Sequence, residues 1–336
     1  MRWQLIRYDW VTNVHWSHVI SRVEVDMLSV VIPVYNSEQS LVPLIQRLSQ
    51  VLPTLADTYE VILVNDGSRD KSWLVIGNLV SQYSFVWGIN MMRNYGQHNA
   101  LLCGIRQAEG DIIVTMDDDL QHPPEEISKL LDKLAEGFDV VYGTPHQEGH
   151  GFLRDLASQI TKLALQSAMG AETARQVSAF RAFRTIVRQS FATYHVPLVS
   201  IDVLLTWGTT RFTSVAVRED PRILGVSNYT FRKLVTHALN MMTGFSILPL
   251  QIASWIGISL ALFSVVVLVY VVGRYLLEGT PVPGFSFLAS IIGLFSGAQL
   301  LALGIIGEYL GRMHLRLQDR PTYVVREELR VTTNSP

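Results

Sequence analysis

The chain has one cysteine in 336 residues, Cys103, so no disulfide can form within it. That fits a reducing compartment, where a lone thiol packs as a small hydrophobe. Charge is scarce as well. Asp, Glu, Lys and Arg make up 17% of the chain and the formal net charge is −2, against roughly 25% charged residues in soluble domains. A near-neutral chain lacks the bulk positive field that draws proteins to nucleic acid, so no nucleic-acid partner is expected. Glycine-rich phosphate loops are missing too. There is no GxGxxG after the first apolar strand and no GxxxxGK[ST] anywhere, so ordinary dinucleotide and P-loop readings fail. Residues 1–26 hold no long apolar core and are not a secretory signal. With Trp3, Trp10 and Trp16 among scattered charges, they read either as an arm at a membrane surface or as sequence ahead of a start at Met27.

In place of charge the chain has two long apolar runs. Segments 247–272 and 285–307 carry no charged residue, and each exceeds the ~20 residues that cross ~30 Å of hydrocarbon as a helix. The connection 273–284 is short, so the pair reads as a transmembrane hairpin. Arg218, Arg222, Arg232 and Lys233 precede the first run, and Arg312, Arg316, Arg320, Arg326 and Arg330 follow the second. The connection offers only Arg274. The positive-inside rule then puts both ends in the cytoplasm, with the chain a multi-pass protein of the inner (plasma) membrane. Gly293 and Gly297 form a GxxxG pair suited to helix packing. Ahead of the first run, Phe231, Leu234, Val235, Leu239 and Met242 fall at helical spacing with Arg232, Lys233 and His237 between them. That pattern fits an interfacial helix on anionic headgroups, or a surface helix packed on the soluble part. The expected organisation is an extension 1–26, a soluble domain 27–228, a juxtamembrane helix 229–246, the hairpin 247–307 and a tail 308–336.

The soluble part alternates strand and helix. Apolar runs at 28–34, 61–64, 86–90, 111–116 and 140–144 read as strands. Between them, helices are expected over Leu41 to Leu52, 72–83, 97–108 and 124–136. The last is marked by Pro124, by Glu125 and Glu126 in its first turn and by Gly137 at its end. Such alternation implies an α/β fold with a doubly wound, mainly parallel sheet. Ligands of such sheets bind at the carboxyl ends of the strands. Pro33-Val34-Tyr35-Asn36 follows the first strand, Asn65-Asp66-Gly67-Ser68 the second and Asp117-Asp118-Asp119-Leu120-Gln121 the fourth. Three adjacent carboxylates repel one another, and a hard divalent cation such as Mg²⁺ or Mn²⁺ relieves that with oxygen ligands. An acidic helix-capping turn before Pro123 is the alternative. His98 and His122 flank these motifs and are expected to be hydrogen-bonded structural residues, because hard cations prefer oxygen.

Taken together, V-V-I-P-V-Y-N at 30–36, N-D-G-S at 65–68 and D-D-D-L-Q-H-P-P-E at 117–125 resemble the family 2 glycosyltransferases with a GT-A fold. R-N-Y-G-Q-H at 93–98, G-E-Y-L-G-R at 307–312 and R-P-T-Y at 320–323 narrow the resemblance. They point to the polyprenyl-phosphate glycosyltransferases: bacterial undecaprenyl-phosphate glucosyl and aminoarabinose transferases, and more distantly dolichyl-phosphate mannose synthase. The resemblance implies inverting transfer of a sugar from a nucleotide-sugar donor, UDP-glucose being favoured, to polyprenyl (undecaprenyl) phosphate. It implies that Asp66, with Pro33 and Tyr35 at the same rim, binds the donor, and that Asp117, Asp119 and Gln121 hold Mg²⁺ or Mn²⁺. Arg154 and Ser158 fall in the acceptor loop, Ser178 and Arg181 line the transfer site, and Arg222 and Ser227 lie near the phosphates. Asp119, Arg154 and Arg181 are the expected catalytic residues, with Asp155 a candidate base. Departures at Asn65, Asp118, Arg175 and Asn228 leave the sugar open.

Two rivals bear on these residues. Processive polysaccharide synthases carry a downstream QxxRW, whereas Arg-Trp occurs here only at Arg2-Trp3. An oligomeric carrier or flippase for lipid-linked sugar, with the soluble domain sensing nucleotide sugar, is the rival of a different class. A homo-oligomer is compatible with either reading.

Overall fold

The structure is a computed structural model and describes residues 25–145, 177–221, 243–244, 247–278 and 284–331. An eight-stranded mixed sheet runs through the soluble part in the order β7-β5-β6-β4-β1-β2-β3-β8. Its centre is the parallel set β1 (Met27–Val34), β2 (Thr58–Asn65), β3 (Val86–Met91) and β4 (Ile112–Thr115). These strands are near-continuous Val, Ile and Leu because both of their faces are covered. One face is packed by α1 (Leu41–Val51) and α2 (Ser72–Gln82), the other by α3 (Gln97–Gln107). The α1 helix presents Leu41, Leu44, Ile45 and Leu48 inward, and Pro43 sits in its first turn, where a missing N–H costs nothing. The α3 helix comes so close to the sheet that a Cβ at Gly104 would lie 2.4 Å from Val31 Cγ1. Cys103 is buried on the same helix, its thiol pushed up to about 12 by burial, in keeping with an inert packed residue.

The helix expected over 124–136 opens as a 3-10 turn, Pro124–Glu126, before α4 (Ile127–Ala135). It ends where Gly137 takes a φ of 99°. Beyond β5 (Val140–Pro145) the architecture goes past the expected five strands. The sheet adds β6 (Arg181–Arg184), antiparallel to both β4 and β5, and β7 (Phe212–Val217), parallel to β5. Between them lies the short α5 (Ile201–Thr206). At the opposite edge β8 (Val325–Leu329) pairs antiparallel with β3. The stretch expected as a tail therefore supplies an edge strand. Arg330 secures it, bonding both Glu109 oxygens at 2.6 and 2.9 Å while lying 4.4 Å over the Trp87 ring.

Helices α6 (Leu248–Glu278) and α7 (Phe285–Leu317) pack against each other as a pair. Both are long and apolar enough to cross a membrane, and their apolar windows are 0% buried, unlike the core helices of a soluble protein. The α6 helix runs past the expected end at 272 to Glu278, since Gly273 costs only about 1 kcal/mol in a helix and no proline intervenes. The α7 helix continues from 307 to Leu317, about 15 Å further at 1.5 Å per residue. A Cβ at Gly293 or Gly297 would meet nothing within 4 Å, so that glycine pair does not form the α6–α7 contact. Residues 1–24 of the expected extension 1–26 and most of the expected juxtamembrane helix 229–246 lie outside the described residues.

Candidate active site

The four central strands end at one rim, and each is followed by a residue in the left-handed backbone region. These are Asn36 after β1 (φ 55°), Gly67 after β2 (64°), Gly96 after β3 (97°) and Leu120 after β4 (63°). Leu120 bears the steric cost, about 1–2 kcal/mol for a residue with a Cβ. Its side chain is buried in the core, which locks the turn and leaves Asp119 and Gln121 on its outer side. At Gly67 no side chain fits: a Cβ would sit 2.5 Å from the Asn94 backbone nitrogen. The β2 and β3 turns are thus packed backbone to backbone.

Asp66 fixes the same contact. One carboxylate oxygen accepts from Tyr95 N at 2.6 Å and the other from Gly96 N at 2.9 Å. Burial raises its carboxyl above the ordinary value, and the two N–H groups pull it back. Across the rim, Asp117 accepts from Gln97 Nε2 at 2.7 Å, and Asp119 accepts from Gln121 N at 3.1 Å. Asp118 stands between them, with its Oδ2 shut off from solvent and unpartnered. Burial, reinforced by the charges of Asp117 and Asp119, pushes the Asp118 carboxyl up to about 7, against the pull of Ser37 and the Tyr35 backbone.

These groups surround a cavity of about 240 Å³. It gathers five of the expected residues, Pro33, Tyr35, Asp66, Asp117 and Asp119, and adds Asn94, Gly96, Gln97 and Asp118. Among the described residues no three acidic, histidine or cysteine side chains converge into a closed metal cage. An oxygen-rich, charge-crowded rim that stops short of a cage suits a hard cation that takes one or two carboxylates and completes its shell with substrate phosphates. The residues therefore fit Mg²⁺ or Mn²⁺.

Three expected residues lie elsewhere. Gln121 does not line the cavity; its amide reaches Glu219 Oε1 at 3.3 Å and its carbonyl accepts from Asp220 N at 2.8 Å. Ser178 caps its own turn, its Oγ accepting from Phe180 N at 3.2 Å. Arg181 lies inside the sheet at 2% exposure, where its guanidinium pairs with Asp202 and donates from Nε to Thr115 Oγ1 at 3.0 Å. Tyr142 completes the cluster, donating to Asp202 Oδ1 at 3.2 Å. Arg154, Asp155, Ser158, Arg222 and Ser227 lie outside the described residues. His98 behaves as a structural residue, its Nδ1 accepting from Ile201 N at 3.3 Å.

The missed cavity residues Asn94, Gly96 and Gln97 follow β3. The carboxyl-end rule, applied to that strand as to its neighbours, points to them; they sit in the same 93–98 run that narrowed the resemblance.

The chain matches the family model described as "Glycosyl transferase family 2" over residues 29–192. It is 32% identical over 313 residues to a protein of Pectobacterium carotovorum subsp. carotovorum (strain PC1) named undecaprenyl-phosphate 4-deoxy-4-formamido-L-arabinose transferase, covering 92% of this chain and 96% of that one. A protein of the same name from Shewanella sediminis (strain HAW-EB3) is 34% identical over 308 residues, covering 91% of this chain and 93% of the relative. Among solved structures, glucosyl-3-phosphoglycerate synthase from Mycobacterium tuberculosis, in complex with Mn²⁺, UDP and glucosyl-3-phosphoglycerate, aligns with a TM-score of 0.48 at 18% identity, over 69% of this chain and 84% of that one. Matched nearly end to end by relatives above 30% identity, the chain belongs to the family 2 glycosyltransferases, in the group that acts on polyprenyl phosphates.

Proposed function

We propose that the protein transfers a sugar, with inversion at C1, from a nucleoside-diphosphate sugar to polyprenyl (undecaprenyl) phosphate at the cytoplasmic face of the inner membrane. The observation that carries this reading is the convergence of Asp66, Asp117 and Asp119 on one strand-end cavity, in a chain with two helices able to cross a membrane. Both long ends would be cytoplasmic, as the arginines flanking the apolar runs imply.

Each residue's part follows from its setting. Asp66 and the 93–96 turn form the wall against which the nucleoside packs, with Pro33 and Tyr35 on the neighbouring strand end. Asp119, which accepts from the Gln121 backbone N–H, and Asp117, steadied by Gln97, would hold Mg²⁺ or Mn²⁺. That cation supplies charge neutralisation for the departing diphosphate. The acceptor is already an anion, so its attack on C1 needs placement more than deprotonation. Arg154, Ser158, Arg222 and Ser227 are proposed to grip its phosphate, and Asp155 is left as a base of secondary importance. Arg181, engaged with Asp202, is proposed to position the strand under the rim.

For the sugar, the favoured donor on sequence is UDP-glucose. The relatives' names favour 4-deoxy-4-formamido-L-arabinose as the sugar instead. Transfer from labelled sugar nucleotides to undecaprenyl phosphate, with Mg²⁺, Mn²⁺ or EDTA, decides between them. The proposal expects one donor to label the lipid and EDTA to stop it. If no donor labels lipid while nucleotide sugar still binds, the transferase reading falls and the sensing or carrier reading takes its place.

A further inference from the structure

A second cavity, of about 360 Å³, lies beside the first on the side of the membrane helices. Its basic wall is unusual for a near-neutral chain: Arg93, Arg312, Arg316 and Arg320 line it, and no carboxylate does. Arg312 and Arg316 stand one helical turn apart on the part of α7 that continues past the uncharged run ending at Gly307. Arg312 bonds Glu308 at 2.8 Å and Arg316 donates to Gly244 O at 3.0 Å. Neither Arg93 nor Arg320 makes an ion pair among the described residues; Arg93 lies 4.6 Å over the Tyr95 ring. Val196, Pro197, Leu198 and Leu315 add an apolar lining. Asn99, 7% exposed, lines the cavity with a buried Oδ1 that has no hydrogen-bond partner.

Guanidiniums and aliphatic side chains lining one cavity match one ligand chemistry, a phosphate monoester on a hydrocarbon chain. Guanidinium forks suit its oxygens and the aliphatic lining suits its first methylenes. The two cavities share Asn94, and Tyr95, whose N–H bonds Asp66, lies between them. We propose that this cavity is a seat for the phosphate head of the lipid acceptor, taken up beside the membrane end of α7 and passed from there to the donor rim. The proposal rests on the transferase reading above for the identity of the acceptor. It adds a second phosphate site, apart from the acceptor-loop arginines, and gives the cytoplasmic extension of α7 a role in delivering substrate.

The test uses the full chain in detergent, wild type against Arg316→Gln/Arg320→Gln and the conservative Arg316→Lys/Arg320→Lys, with nucleotide binding as the check that each is folded. Binding of polyprenyl monophosphate, phosphatidic acid and inorganic phosphate is measured in separate arms by native mass spectrometry, alongside transfer kinetics. The expected result is retention of polyprenyl phosphate by wild type, weakened about tenfold in the Gln pair and partly restored in the Lys pair. The KM for lipid should rise by about the same factor while the KM for nucleotide sugar holds within about twofold. Equal binding of phosphatidic acid, or binding of inorganic phosphate alone, would overturn the acceptor assignment. Unchanged lipid binding and lipid KM in the Gln pair would remove the site while leaving the transferase reading intact. Arginine-dependent lipid binding without transfer from any donor would do the reverse.

Discussion

On the β4–β1–β2–β3 flank of the sheet the acids stand at the strand ends, facing a cavity. On the β6–β5–β7 flank the guanidinium of Arg181 and the carboxylate of Asp202 are sealed inside, satisfied by each other, Thr115 and Tyr142. Both flanks carry charge on apolar strands, and the contrast lies in where the charge is neutralised. At the rim neutralisation is left to a ligand, and burial, with the Asp117 and Asp119 charges beside it, lifts the Asp118 carboxyl to about 7. In the interior it is complete within the protein. A rim acid should therefore be expendable for folding and indispensable for transfer, and the buried pair the opposite.

The sharpest break of that contrast is Arg181→Ala. It strands Asp202 as an unpaired buried charge, which costs about 3–5 kcal/mol, a large share of a stability of roughly 5–15 kcal/mol. Thermal or denaturant unfolding of the purified protein should show the loss. Asp202→Asn in the Arg181→Met background should recover much of it, since removing both charges leaves neither stranded. An Arg181→Ala protein of unchanged Tm that has lost transfer would instead assign Arg181 to the acceptor phosphate.

Asp119→Ala should do the converse. Removing a metal-holding carboxylate is expected to lower transfer by about 10²–10³-fold, the range seen when one electrostatic contact to a transition state is deleted. The Tm of the metal-free protein should stay the same or rise slightly, because one of three crowded charges is gone. Retained lipid transfer would sink the metal role; retained transport of glycolipid with no transferase activity in either protein would favour the carrier reading.

Gly67→Ala tests the rim's backbone. The new Cβ meets the Asn94 nitrogen at 2.5 Å and the position has a φ of 64°, so a loss of about 1–3 kcal/mol is expected. Because the β2 turn carries Asp66, nucleotide affinity should fall with stability, read by titration calorimetry. Gly96→Ala, at φ 97° but with open space around it, should cost less.

These residues also show how far the sequence reaches. The parallel strands were legible because each is a continuous apolar run, and the rim because strand ends of a parallel sheet are where ligands bind. Asp66 and the Asp117–Asp119 run follow from those two facts, and the resemblance singles out Asp117 and Asp119 within the run. The strands β6, β7 and β8 were not legible. Arg181-Ala-Phe-Arg184 has an arginine at each end, and Val325–Leu329 contains an Arg and two Glu; neither announces itself without the partner strand that covers it. The fate of Arg181 was hidden for the same reason: its partner Asp202 is on α5, and only the antiparallel register of β6 between β4 and β5 brings Thr115, Tyr142 and Asp202 around it. The setting of Gln121 was hidden too: after the left-handed turn at Leu120 its amide meets Glu219, a residue 98 positions away in sequence.

The smallest expected effect, and the most specific, is the pH dependence of the rim. The Asp118 carboxyl titrates near 7 in the folded protein instead of near 3.8, so the folded state holds that proton more tightly than the unfolded chain does. Its contribution to stability is full below about pH 4 and is lost as pH rises through about 7. The metal-free protein in EDTA should therefore show a Tm that falls between pH 5 and pH 8 by about 3–6 °C, measured by differential scanning fluorimetry. Asp118→Asn keeps the shape without the charge and should flatten that slope, raising the Tm at pH 8 and leaving it nearly unchanged at pH 5. Mg²⁺ or Mn²⁺ with nucleotide should flatten the wild-type slope by another route, since an added positive charge favours the ionised rim. A slope that survives in Asp118→Asn would place the titrating group elsewhere, and with it the strain that distinguishes this flank of the sheet from the sealed Arg181–Asp202 pair.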